Sequence, residues 1–392
     1  MQVVQWLLWA LGLIVLIPTS LFALEILAAF THRTEMNATA GPRPKVAVLV
    51  PAHNEASGIA ETLATISTQL LAGDRMVVVA DNCTDDTARL AQEGGAEVVE
   101  RFNTTLRGKG YALDVGMRHI ERDPTEVVFI VDADCIVAAG SIDAITSKCG
   151  ETGRPVQASY LMAAPDGAGV GVRISQFAWL IKNYIRPLGT NRLGWPCLLQ
   201  GAGMAFPWKI IRAAKLASGH IAEDMKLTVD LAEANAAPIF FPQALVTSVF
   251  PMSQEGIASQ RIRWEHGHLN LIAGTLPKVL LNSVSQRNFH LFIIALDVAV
   301  PPLSLLALFT LVLLICSYAF WWFTGRAWTA FPITITFVMQ ALSFFTCWII
   351  AGRTVLESGN LLNLPGYALK KIPLYLKFLY QRQLDWIRTK RD

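Results

Sequence analysis

The chain has 392 residues, 53% of them hydrophobic and 16% charged, with a mean hydropathy of +0.40. It is long enough for one sizeable domain and too apolar to be only that, so part of it belongs in lipid. A formal net charge of +3 is too small to point to nucleic acid and leaves membrane phospholipid as the anionic neighbour.

Residues 6–30 are almost wholly apolar and exceed the ~20 residues that a membrane-crossing helix needs. A cleavable leader fits poorly, because the run is too long, has no basic residue ahead of it and carries Glu25 near its end. Residues 1–33 are therefore read as a transmembrane helix and its flank. Two further spans are predicted at 303–323 and 331–350, with Trp321, Trp322, Trp328 and Phe331 forming an aromatic belt around their short connection. His32, Arg33, Arg43 and Lys45 follow the first span, whereas only Arg326 separates the other two. Basic residues stay on the cytosolic side, so the middle of the chain is expected to be cytosolic and the N-terminus outside. The tail, 352–392, carries eight basic against three acidic residues and is placed inside as well. Its mixed apolar and basic stretch, 367–380, reads as an interfacial helix or as a helix packed on the catalytic domain.

Between the spans, residues 45–281 alternate short β-branched runs with helical ones. Strands are predicted at 45–50, 76–80, 96–100 and 127–131, and helices at 56–69, from 84, at 108–120 and at 221–233. This is an α/β pattern with a mostly parallel, Rossmann-like sheet covered on both faces. Ligands of such sheets bind beyond the carboxyl ends of the strands. Pro51-Ala-His-Asn-Glu55, Asp81-Asn-Cys-Thr-Asp-Asp-Thr87 and Asp132-Ala-Asp134 occupy those ends and converge on one crevice.

Asp132 and Asp134 are spaced so that one carboxylate binds a divalent cation while the other holds its water or a ribose; oxygen ligands suit Mg2+ or Mn2+. Asp81 and Asn82 can accept from a base or ribose, while Thr84, Asp85 or Asp86 is expected to cap the next helix. Arg107-Gly-Lys-Gly110 opens a helix in a way that suits a phosphate. Glu223 and Asp224 begin a helix downstream of the glycine-bearing run 200–206. Gln260-Arg-Ile-Arg-Trp264 offers guanidiniums to diphosphate oxygens and an indole to a sugar ring. His266 and His268 follow at once, as membrane-interface packing residues or as completion of a metal site. Six cysteines show no Cys-x-x-Cys spacing, so neither a zinc site nor a disulfide framework is indicated.

In this order the motifs resemble glycosyltransferase family 2, including cellulose, chitin and hyaluronan synthases, bacterial exopolysaccharide transferases and ceramide glucosyltransferase. The resemblance covers residues 45–267. It implies a GT-A fold and inversion at the anomeric carbon, with a nucleotide sugar, preferably a UDP-sugar, as donor. It also implies that Pro51, Glu55, Asp81, Lys109, Asp132, Arg261 and Arg263 bind that donor, and that Asp134 holds the metal. Trp264, Gln260 and Gly201 would bind the acceptor. Asp224 would be the general base that deprotonates the acceptor hydroxyl. Where the family has threonine before the Glu-Asp pair this chain has Ala222, which puts the orientation of Asp224 in question.

The Gln-x-x-Arg-Trp signature occurs in processive synthases and in enzymes that add one sugar to a lipid. Three spans make a poor secretion channel, and the apolar piece 291–300 in segment 282–351 is too short to be a fourth. It is read as re-entrant or interfacial, with Asp297 functional, shielded or at headgroup level. The expected activity is therefore transfer of one sugar to a lipid-linked or glycan acceptor in a bacterial inner membrane, with polysaccharide-assembly partners. A processive synthase and an inactive assembly scaffold are the alternatives.

Overall fold

The structure is a computed structural model that describes residues 1–31 and 43–382. His32 and Arg33, used above for orientation, lie outside the described residues, as do Asp385, Arg388, Lys390, Arg391 and Asp392 of the tail.

After the long helix α1 (Gln2–Thr31), the chain alternates β1 (Val46–Ala52), α2 (Ile59–Ser67), β2 (Arg75–Asp81), α3 (Thr87–Glu93), β3 (Glu97–Arg101), α4 (Lys109–Ile120) and β4 (Val127–Ile130). The predicted elements are all present, trimmed or extended by a few residues at their ends. Strands β1 to β4 pair in parallel, and their side chains alternate between two cores. Val46, Val48 and Val50 of β1 face one core with Ile59, Leu63 and Ile66 of α2. Ala47 and Leu49 face the other with Leu113, Met117 and Ile120 of α4.

The second half of the sheet comprises β5 (Ile136–Val137), β6 (Val156–Ala163), β7 (Met204–Pro207) and β8 (Ile239–Val249), and the full order is β3-β2-β1-β4-β7-β6-β8-β5. It keeps the mostly parallel expectation, since β6 and β8 pair in parallel, and adds two reversed strands. Strand β7 runs antiparallel between β4 and β6, and β5 is antiparallel to β8. The sheet is therefore mixed. The crossovers that carry it are α5 (Ser141–Thr152), α6 (Val170–Leu180), α7 (Arg186–Arg192), α8 (Trp208–Ile211) and α9 (Glu223–Glu233).

Helix α6 continues through a π turn (Ile181–Ile185) into α7. Its cause is Pro187, whose missing N–H and bulky ring disrupt the regular ladder. Arg186 N–H instead reaches the carbonyl of Ile181, five residues back.

The remaining helices are α10 (Gln254–Gly274), α11 (Leu276–Ser285), α12 (Phe289–Ala299), α13 (Leu303–Thr324), α14 (Phe331–Cys347), α15 (Leu364–Leu369) and α16 (Ile372–Tyr380). Among the described residues three helical segments are long and apolar enough to cross a membrane: Gln2–Thr31, Leu303–Thr324 and Ala327–Gly352, the last including α14. Gln340 of α14 ties them together, donating to Thr19 of α1 at 2.9 Å and Thr310 of α13 at 2.7 Å. Such bonds hold helices together where lipid removes the hydrophobic drive for association.

Helix α12 packs against α9 and α11 through Leu291, Ile294 and Val298. Its Asp297 is shielded: it takes an ion pair from Arg186, whose Nε also contacts Glu25 Oε2 of α1 at 2.5 Å. Beside this triad α1 crosses α7 at Gly189, where an added Cβ would collide with the Glu25 carbonyl. In the tail, Phe378 of α16 packs against His266 of α10, while Leu376, Leu379 and Tyr380 remain exposed. One face therefore packs on the protein and the other is left apolar.

Candidate active site

A polar cleft of about 190 Å3 lies at the carboxyl ends of β1, β2 and β4. Of the residues expected to act on donor or acceptor, Pro51, Glu55, Asp81, Lys109, Asp132, Asp134, Gly201, Asp224, Gln260, Arg263 and Trp264 line it. Arg261 does not.

The loops after β1 and β2 are cross-braced. Asn54 Oδ1 accepts from the Thr84 N–H at 2.7 Å, and Glu55 N–H donates to Thr87 Oγ1 at 2.8 Å. Asn54 and Asn82 both take positive φ, which asparagine tolerates better than most residues. Of the candidate caps, Asp85 accepts from the Thr87 N–H at 3.1 Å, and Asp86 stands at the N-cap without a capping bond, its carboxylate pairing with Arg89 at 3.0 Å instead. Asp81 is held by Arg101 at 2.5 Å and by Asn82 Nδ2 at 2.9 Å.

Lys109 stands at the first position of α4, after Gly108 at φ 126°. Its ammonium pairs with Asp132, lies 3.9 Å from Glu223 and donates to the Gly201 carbonyl at 2.8 Å. Burial alone would lower its pKa, but the Asp132 and Glu223 carboxylates outweigh burial and hold it above the ordinary lysine range. Gly201 is favoured here as glycine because its φ is +91°, a left-handed conformation that side chains rarely adopt.

Asp224 and Glu223 form the first turn of α9, where acidic groups meet the positive end of the helix. Burial raises both pKa values, Glu223 to about 7, with Lys109 opposing; for Asp224 the foremost opposing charge is Lys182. The Ala222 departure has a packing basis: α10 approaches so closely that a Cβ on Gly267 would sit 3.0 Å from that of Ala222. In place of a threonine hydroxyl, the Met225 N–H orients Asp224, donating to Oδ1 at 2.7 Å.

Asp134 accepts from Ser248 Oγ at 3.0 Å. Among the described residues no group of three or more His, Cys, Asp or Glu side chains gathers to hold a metal. The donor set still fits Mg2+ or Mn2+, which commonly bind through one or two carboxylates and complete their shell with substrate phosphates and water. The neighbouring histidines take no part. His268 Nε2 bonds the Val298 carbonyl at 2.9 Å, and His266 Nε2 the Leu374 carbonyl at 3.1 Å.

Helix periodicity explains Arg261. Gln260, Arg263 and Trp264 fall on the face of α10 toward the cleft, whereas Arg261, Glu265 and His268 face a second, larger cavity of about 660 Å3. That cavity is lined by α6, α10, α13, α14 and α15 and is mostly apolar. Trp179, Gln260 and Trp264 line both spaces, so the cleft and the cavity share a wall. Trp179 and Trp264 pack with ring centroids 4.6 Å apart, and Trp179 Nε1 donates to the Tyr160 carbonyl at 2.9 Å. Tyr160, Trp179 and Lys182 were not found from sequence. The available signal was Ser175, Trp179, Lys182 and Arg186 recurring at helical spacing on one face.

A family model described as glycosyltransferase like family 2 matches residues 42–267, more than half of the chain. The chain is a family 2 glycosyltransferase. An N-acetylglucosaminyltransferase of Rhizobium leguminosarum bv. viciae is 24% identical over 276 residues, which is 66% of this enzyme and 65% of the relative. An uncharacterized glycosyltransferase of Mycobacterium bovis is 34% identical over 103 residues, covering 26% of this enzyme and 43% of that protein. The enzyme thus spans less than two thirds of either relative. Among solved structures, a mannosyltransferase from Pyrobaculum calidifontis, in complex with GDP-Man and Mn2+, aligns at TM-score 0.57 and 17% identity. The alignment covers 96% of this enzyme and 100% of that chain, so the shared fold takes in the long apolar helices as well as the α/β domain.

Proposed function

We propose that the enzyme transfers a single hexosyl or N-acetylhexosaminyl unit from a nucleotide sugar, preferably a UDP-sugar, to a lipid acceptor, with inversion at the anomeric carbon. The supporting observation is the apolar cavity that shares the Trp179, Gln260 and Trp264 wall with the carboxylate cleft. A growing glycan needs a path lined by polar groups, whereas this space suits a hydrocarbon chain.

On this reading Glu55 and Asp81 hold the nucleoside, and Lys109 and Asp132 lie beside its ribose and phosphates. Arg263 meets the leaving diphosphate, where fixed positive charge stabilises the developing anion. Asp134 would hold Mg2+ or Mn2+, which when bound would supply further positive charge to the diphosphate. Asp224 accepts the proton of the attacking hydroxyl; its raised pKa makes it a better base than an exposed aspartate. Trp264 and Gly201 border the acceptor. The catalytic domain and the tail face the cytosol, and the product enters exopolysaccharide or glycolipid assembly at a bacterial inner membrane.

The test is product analysis with purified enzyme, nucleotide sugars and extracted membrane lipids. One added sugar per lipid, with one equivalent of nucleoside diphosphate released, is expected. A ladder of long chains would replace this reading with processive synthesis, and no diphosphate release from any donor would remove catalysis altogether.

A further inference from the structure

The apolar cavity contains four basic side chains that differ in how they are neutralised. Arg186 is paired with Glu25 and Asp297, and Lys371 with Glu265. Arg261 and Lys182 have no carboxylate within 4.0 Å among the described residues, although both line the cavity. Arg261 donates to Ser175 Oγ at 3.2 Å and lies over the Tyr367 ring at 5.2 Å, contacts that fix the guanidinium without cancelling its charge. Ser175 Oγ is itself 2.9 Å from the Tyr367 hydroxyl, so a two-residue bracket holds Arg261 in place.

Lys182 lies seven residues beyond Ser175, on the same face of the α6 helix and its π turn. That is roughly 10 Å along the axis. Both cations line a cavity whose other walls include Phe177, Leu308, Phe337 and Phe344. A cation against apolar walls is unfavourable unless an anion meets it. Burial pulls the Lys182 pKa down and the Asp224 carboxylate opposes this, which puts Lys182 in electrostatic reach of the proposed base.

We infer that Arg261 and Lys182 form the headgroup cradle of a phosphate-bearing membrane amphiphile whose hydrocarbon chain fills the cavity. The planar fork of Arg261 grips phosphate oxygens in pairs and Lys182 adds a point charge, a combination suited to phosphate. The inference rests on the lipid-acceptor reading and names its substrate class: the acceptor carries phosphate next to the hydroxyl or phosphate oxygen that is glycosylated. Arg261 is then a specificity-determining residue rather than a ligand of the nucleotide diphosphate.

The experiment measures binding of radiolabelled hexadecyl phosphate and hexadecanol to the full chain in neutral maltoside micelles, by scintillation proximity. The wild type is expected to prefer the phosphate by about tenfold or more. Arg261→Gln and Lys182→Gln should each erase most of that preference, Arg261→Lys should keep part of it, and Ala307→Trp, which fills the cavity, should weaken both ligands together. Equal binding of the two ligands by the wild type would overturn the inference, as would an undiminished preference in both glutamine variants. Inorganic phosphate that displaces hexadecyl phosphate at equal concentration would also overturn it, pointing to a soluble anion. If Arg261→Gln fails to fold, the wild-type comparison and Lys182→Gln still decide. Diphosphate release is scored separately. Its absence alongside a phosphate preference would sink the transfer reading and spare the cradle, whereas transfer to neutral lipid alcohols without any phosphate preference would sink the cradle alone.

Discussion

Arg186→Met addresses how the first membrane helix is joined to the catalytic domain. The guanidinium is the shared partner of Glu25 on α1 and Asp297 on α12, and the three side chains are only 7%, 1% and 9% exposed, respectively. Glu25 Oε1 is buried with no hydrogen-bond partner, so the triad has no local reserve of donors. Removing the cation leaves two buried carboxylates facing one another. Breaking a buried pair by deleting one partner costs ~3–5 kcal/mol, mostly through the charge left behind. At ~2–4 °C per kcal/mol for a domain of 150–250 residues, the melting temperature should fall by about 10 °C. Tryptophan fluorescence during thermal unfolding in detergent reads this directly. Adding Glu25→Gln and Asp297→Asn to Arg186→Met should recover most of the loss, because no uncompensated charge remains. A single variant melting within about 2 °C of wild type, or a triple variant no better than the single, would refute the reasoning.

Three further outcomes are expected. Asp134→Ala should abolish metal-dependent donor binding in calorimetry, whereas Asp224→Asn should keep that binding and lose ~10²–10⁴-fold in turnover; equal behaviour of the two would show the roles misassigned. Gly189→Ala should cost about 1–3 kcal/mol in the same unfolding assay, since the new methyl meets the Glu25 backbone at the α1–α7 crossing. Glu223 has a pKa raised from 4.5 to about 7, so the folded state binds its proton more tightly than the unfolded chain. That contribution is complete below the unfolded value and is lost as pH rises through 7. Glu223→Gln should therefore gain stability relative to wild type between pH 5 and 8; a gap that stays constant with pH would remove the argument.

The parallel half of the fold was legible because β1, β2 and β4 are short β-branched runs ending in polar loops, and their periodicity alone separates strand from helix. The reversed strand β7 within the second half was not. Strands β6, β7 and β8 are drawn together from residues 156–249, and nothing local to Met204–Pro207 specifies that it runs against both neighbours. The cleft was readable because each strand end carries its own motif. The cavity was not, since its walls come from helices separated by up to two hundred residues. Arg261 is an intermediate case: helical spacing already separated it from Arg263, which lies on the opposite side of α10, but adjacency within one short motif masked the difference.

The run Gln260-Arg-Ile-Arg-Trp264 is a strip of helix read simultaneously in two solvents. Successive residues of an α-helix turn by roughly 100°, so one inserted residue upstream in α10 would carry Arg261 out of the apolar cavity and displace Arg263 from the polar cleft. The compactness of the motif is thus a phase requirement. Its five positions keep the polar cleft and the apolar cavity a fixed rotation apart, and length changes in α10 should be far less tolerated than substitutions along it.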